Sequence, residues 1–198
     1  MKKIDIILSL ITGEGLACLF IWFVKKSAFH LGFLYWILPI FLPILTLFAL
    51  WIAYLIGKRF LFVFQLAKFI VIGAFFALID LLVLNFLMIY FNATVGTPYL
   101  IFVTISFFVA TCLKYIADKF WAFEKTKKTQ LGSEFGKFFI VTLISAVIQI
   151  EIANLVVNKI GPQFGMDALV WANMGKIASI AVASLWNFIG YKFIVFKK

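Results

Sequence analysis

The sequence predicts an all-α integral membrane protein of about six transmembrane helices, the last four forming a parallel duplicated helical hairpin. Three observations carry that prediction: an extreme apolar composition, six apolar stretches of spanning length, and an internal repeat. Of 198 residues, 65% are hydrophobic and 13% charged, and the mean hydropathy is +1.13. A soluble domain is about half apolar and about a quarter charged. Its surface could not hide 26 Phe and 6 Trp, because water demands polar cover that lipid does not.

A transmembrane helix takes about 20 mainly apolar residues to cross a core of roughly 30 Å. Six segments qualify: 4–24, 33–56, 69–90, 99–117, 138–158 and 170–191. The first is the weakest, with Thr12-Gly13-Glu14-Gly15 at its centre, and lying flat on one leaflet is its alternative. Lys2 and Lys3 ahead of it, and Leu16-Ala17-Cys18 within it, resemble a signal or lipoprotein leader. Gly15 and Glu14 break that pattern, so an uncleaved first helix is expected. Pro39 and Pro43 are expected to kink the second helix, since each ring removes a ladder donor.

The formal net charge is +10. The basic residues cluster between the apolar runs, as in cytoplasmic loops, so nucleic acid is not an expected partner. With the N-terminus inside, the outer side holds only Lys25, Lys26 and Lys159, and Lys114 and Lys176 fall within helices. All other Lys and Arg lie on the inner side, which places both termini in the cytoplasm and a charged inner loop at 124–136. Cys18 and Cys112 lie in apolar segments and His30 is the sole histidine. No metal-ligand spacing exists, and no cofactor is expected.

The chain repeats itself. At an offset of 69, Lys68-Phe69-Ile70-Val71 overlies Lys137-Phe138-Phe139-Ile140, Asp80 overlies Gln149 and Asn85 overlies Asn154. At an offset of 73, Lys119-Phe120-Trp121-Ala122-Phe123 overlies Lys192-Phe193-Ile194-Val195-Phe196, Ser106 overlies Ser179, Ala110 overlies Ala183 and Lys114 overlies Asn187. Each unit is two helices, so both copies enter the membrane in one direction and a pseudo-two-fold axis follows the membrane normal.

Ionisable residues inside spans cost about 2.5–3.5 kcal/mol each on insertion scales, so each calls for a reason. In the last helix Lys176, Ser179, Ala183, Asn187 and Gly190 share one face, and the repeat-related stripe is Val103, Ser106, Ala110, Lys114 and Ala117. One reading is close helix packing through small residues. The other is a polar cleft in which Lys114, Lys176, Asn187, Ser179 and Ser106 bind a lipid phosphate or its sugar. Lys114 has a snorkelling alternative. Glu151 and Lys176 are expected to pair, since both lie roughly 10 Å below the outer helix ends. Asp80, Gln149 and Glu14 complete a polar core with proton coupling or plain structural bonding as its roles. Lys119, Trp121, Lys192 and Phe196 are expected to anchor the helix ends at the lipid headgroups.

These residues carry a family resemblance. From about residue 65 to 198 the chain resembles the GtrA-like family, which also supplies the membrane region of some dolichyl-phosphate mannose synthases. The resemblance rests on Lys68-Phe69, Asp80 and Asp118-Lys119-Phe120-Trp121-Ala122-Phe123, then Lys137-Phe138, Trp186-Asn187 and Tyr191-Lys192-Phe193-Ile194-Val195-Phe196. Asp118 and Tyr191 stand where the family usually has Asn, Lys114 replaces another frequent Asn, and Gln149 is not an acid. Residues 1–64 lie outside the resemblance, as an added transmembrane hairpin ahead of a four-helix domain at 65–198. The resemblance implies translocation of polyprenyl-phosphate-linked sugars, undecaprenyl or dolichyl, for cell-surface polysaccharide at the plasma membrane. Membrane lipid is then a partner, with a membrane glycosyltransferase and self-association as open alternatives. The rival readings are a non-transporting subunit that positions a glycosyltransferase, and a small proton-coupled exporter using Glu14 or Asp80. No residue set resembles an active site, so the chain is not expected to be an enzyme.

Overall fold

The computed structural model describes residues 1–26, 32–122 and 131–195. Its elements are α1 (Lys3–Lys26), α2 (Leu34–Gly57), α3 (Leu61–Tyr90), α4 (Gly96–Ala117), α5 (Leu131–Asn154) and α6 (Ala168–Gly190). The described residues hold no strand. All six helices carry stretches long and apolar enough to cross a membrane, α1 included, and the chain is a multi-pass membrane protein. Many large apolar residues are exposed, among them Trp36, Ile40, Leu82, Phe86 and Leu185. Asp5, Lys68, Asp80, Asp118 and Lys176 are buried. That inversion suits lipid as the solvent.

Packing divides the chain into two compact units, Met1–Leu78 and Ile79–Lys198, with α3 running through the division. In the first unit α1 stays helical through Gly13-Glu14-Gly15, and α2 through Pro39 and Pro43. Gly13 provides close approach: a Cβ there would collide with the Pro43 backbone and come within 2.8 Å of the Leu42 carbonyl oxygen. Alongside, the Thr46 hydroxyl donates to Ser9 O at 2.8 Å, crossing from α2 to α1. At one end Lys68 Nζ lies 3.6 Å from Asp5 Oδ1, both side chains buried.

In the second unit the core is built from Leu84, Met88, Tyr99, Phe102, Val103, Ala153, Val157, Trp171 and Ala172. Asp167 caps α6, its carboxylate accepting from Val170 N at 2.8 Å. Two indole rungs, equally spaced along both helices, set the antiparallel register of α5 and α6. Trp171 Nε1 donates to Val156 O at 2.9 Å, and Trp186 Nε1 to Val141 O at 3.0 Å. Gly175 packs on Val157 and Gly190 on Val141, each so closely that a Cβ would overlap the valine.

The duplication appears in the backbone itself. The helices α4 and α6 both end in a π-helical turn, Asp118–Ala122 and Tyr191–Val195, 73 residues apart at each boundary. A third π turn, Leu155–Ile160, follows α5.

Candidate functional site

Polar side chains within the second unit form two clusters. The first surrounds Lys176, whose side chain is 0% exposed. Its ammonium lies 2.9 Å from Asp80 Oδ2 and donates to Gln149 Oε1 at 2.9 Å and Val103 O at 3.3 Å. Three N–H donors therefore meet three acceptors, one each from α3, α5 and α4. Asp80 and Gln149 are the residues matched at the 69 offset, and Val103 is the counterpart of Lys176 at 73. The lysine thus sits between repeat-related groups.

The serines repeat the pattern: Ser106 donates to Val103 O at 3.2 Å and Ser179 to Lys176 O at 2.7 Å. One turn beyond, Asn85 and Asn173 form a reciprocal amide pair. Asn85 Nδ2 donates to Asn173 Oδ1 at 2.7 Å and Asn173 Nδ2 to Asn85 Oδ1 at 2.8 Å. The Tyr99 hydroxyl donates to Ala172 O at 2.9 Å. This cluster is nearly saturated.

The second cluster lies toward the π turns of α4 and α6. Lys114 Nζ is 3.7 Å from Asp118 Oδ2, one helical turn on, with side chains 12% and 0% exposed. Its ammonium also lies 5.8 Å from the centre of the Tyr191 ring. Phe138 stacks between Tyr191, 5.5 Å away, and Tyr115, 4.3 Å away. Thr142 and Ser145 extend the cluster along α5, and Asn187 along α6. The α5–α6 register sets Ser145 level with Asn187.

Ser145 Oγ and Asn187 Oδ1 are buried without a hydrogen-bond partner among the described residues, and Thr142 lies within hydrogen-bonding reach of the Tyr191 hydroxyl. Native proteins leave few such groups, because each forfeits solvation without recompense. Together, in the same unit as an ammonium–carboxylate pair, they form a locus able to hydrogen-bond hydroxyls and attract an anion.

The structure brings together most of the expected residues. Lys176, Ser179, Ala183, Asn187 and Gly190 are buried along α6, as are Val103, Ser106 and Ala110 along α4. Asp80 and Gln149 join them in the interior. The expected Glu151–Lys176 pair does not form. Glu151 is exposed because Gln149 faces inward, and two residues of helix turn about 200°. Glu14 likewise sits on an exposed face of α1, next to inward-facing Gly13, where its carboxylate accepts from the Cys18 thiol at 3.9 Å.

Lys119 and Trp121 are buried and do not face headgroups. They occupy the π turn that follows α4, where the helix leaves the 3.6-residue period on which the anchoring expectation was built. Lys68, expected in an inner loop, lies within α3 and is also buried. Lys192 is part-buried, 5.8 Å from the Phe188 ring centre. Phe196 and most of the 124–136 loop lie outside the described residues.

Sequence reasoning passed over Asn173, Thr142 and Ser145, and treated Asp118 and Tyr191 only as departures. Two signals were available: Asp118 is the helical i+4 partner of Lys114, and Asn173 extends the Lys176 stripe upward by one turn.

A multi-pass helical membrane protein with a duplicated hairpin and a polar interior seam is the class defined by these observations. The family described as "GtrA/DPMS, transmembrane domain" matches residues 68–196. The chain belongs to that family. No curated protein and no solved structure matches it.

Proposed function

We propose that this membrane protein of glycosylation or polysaccharide biosynthesis translocates polyprenyl-phosphate-linked sugars, and that the Lys114 cluster receives the headgroup. The observation that carries this reading is the pair of unpartnered buried atoms, Ser145 Oγ and Asn187 Oδ1, in the same unit as the Lys114–Asp118 pair. An ammonium suits a phosphate, and hydroxyl and amide groups suit the hydroxyls of a sugar. The Lys176 ammonium, with all three N–H groups engaged, ties α6 to α3, α4 and α5, and the binding is assigned to the other end. No bond-making chemistry is assigned to the seam; it binds and releases. The excess of Lys and Arg between the apolar runs supports placing both termini in the cytoplasm, with the chain in the plasma membrane.

The test reconstitutes the full chain in vesicles with a fluorescent undecaprenyl-phosphate sugar and follows its appearance in the opposite leaflet. Asn187→Leu and the pair Thr142→Val with Ser145→Ala are each expected to slow transport about tenfold, equivalent to one or two lost hydrogen bonds. Transport unaffected by both changes would remove the headgroup assignment. Transport seen only when a membrane glycosyltransferase is included would favour the positioning-subunit reading instead.

A further inference from the structure

Glu151 is an exposed carboxylate well inside a membrane span. It stands three residues from the middle of the Gly136–Ile160 stretch, about 4–5 Å along the axis, within a hydrocarbon core of roughly 30 Å. Ile140, Ile144, Val147 and Leu155 share its stripe at spacings of three and four residues and are all exposed, Ile140 and Val147 by 60% each. The opposite face of α5, through Val141, Ser145, Gln149 and Ala153, is buried inside the second unit. The α5 helix thus turns an apolar face with one acid at its centre toward the bilayer. Lipid tails offer that acid neither a counterion nor a hydrogen bond.

Among the described residues no cation pairs with it. Lys114 and Lys176 are committed inward to Asp118 and Asp80, while exposed Lys137 and Lys159 stand at the two ends of the same span. Among the described residues every exposed Lys or Arg stands at the end of a span or between spans, so a second copy in the same orientation sets none of these at the depth of Glu151. We propose that the α5 stripe centred on Glu151 docks a transmembrane helix of another protein, one that carries a lysine or arginine at the matching depth. Small neighbours are not required, because the apolar stripe provides packing and the acid provides register and selectivity. This surface is independent of the Lys114 cluster, which faces the interior.

The probe is a set of designed polyleucine transmembrane peptides bearing Lys, Gln or Leu three residues from the centre. Each carries a dye and is mixed in vesicles with the labelled full-length protein, and association is read by resonance energy transfer. The Lys peptide is expected to bind about tenfold more tightly than the Leu peptide, a coupling of about 1.4 kcal/mol, with the Gln peptide between them. Glu151→Gln should remove most of that preference and Glu151→Leu all of it, whereas Val147→Leu should keep it. Because Glu151 is exposed, these variants should retain the wild-type melting profile, which is measured in parallel. Equal binding of the Lys and Leu peptides would overturn the proposal, as would an undiminished Lys preference in Glu151→Leu. Glu151-dependent self-association without added peptide would assign the stripe to a second copy and equally overturn it.

Discussion

Moving one negative charge from Asp80 to position 149 tests the Lys176 cluster most directly. Asp80 Oδ2 and Gln149 Oε1 each stand 2.9 Å from the ammonium, and the two positions are repeat equivalents. Asp80→Asn deprives a fully buried ammonium of its counterion while changing side-chain volume little. Breaking a buried pair from one side costs about 3–5 kcal/mol. For a chain of this size each kcal/mol corresponds to about 2–4 °C, so the melting temperature should fall by about 6–20 °C. Adding Gln149→Glu restores a carboxylate at the same distance and the same net charge, and should recover at least half of the loss. Gln149→Glu alone puts two acids on one lysine and should destabilise modestly. The assay is thermal unfolding of the purified protein in detergent, followed by tryptophan fluorescence for all four forms. If the double variant is no more stable than Asp80→Asn, or the two effects simply add, the lysine is not shared between repeat-related acceptors and the reasoning fails.

Other expectations follow from the contacts. Gly190→Ala forces a methyl into Val141, whose Cγ1 lies 2.5 Å from the added Cβ; a loss of about 1–3 kcal/mol is expected, and Val141→Ala in the same chain should relieve it. Gly13→Ala meets backbone at Pro43 and Leu42, so its loss should exceed that of Gly190→Ala, and side-chain trimming on α2 should not rescue it. Asp5→Ala strips the buried Lys68 ammonium of its carboxylate and should cost about 3 kcal/mol, read by the same melting assay. Ser145→Ala removes an unpartnered buried hydroxyl and should leave stability unchanged or raise it by up to about 1 kcal/mol, while the paired change with Thr142→Val slows transport. A clear fall in melting temperature for Ser145→Ala would mean that its hydroxyl is structural.

Much of the architecture was readable because lipid makes the sequence code simple. Twenty apolar residues mean a span, and the two polar stripes point inward because the bilayer offers them nothing. Partner choice was harder. Depth along the span does not separate Glu151 from Gln149 as partners for Lys176; helix rotation does, turning Glu151 away while presenting Gln149. The π turns were invisible to an argument built on a 3.6-residue period, and Lys119 and Trp121, both buried, lie within one of them. The unpartnered hydroxyl of Ser145 looks ordinary in the sequence, since only packing reveals that nothing answers it.

Lys68 opens the stretch that the family shares, yet its nearest described acid, Asp5, comes from α1. The appended hairpin is therefore electrically stitched to the first shared helix. A shortened chain starting at residue 65 would lose that carboxylate, and would be expected to melt earlier than the full chain. The opening of the shared stretch therefore leans on a residue that the family match does not cover.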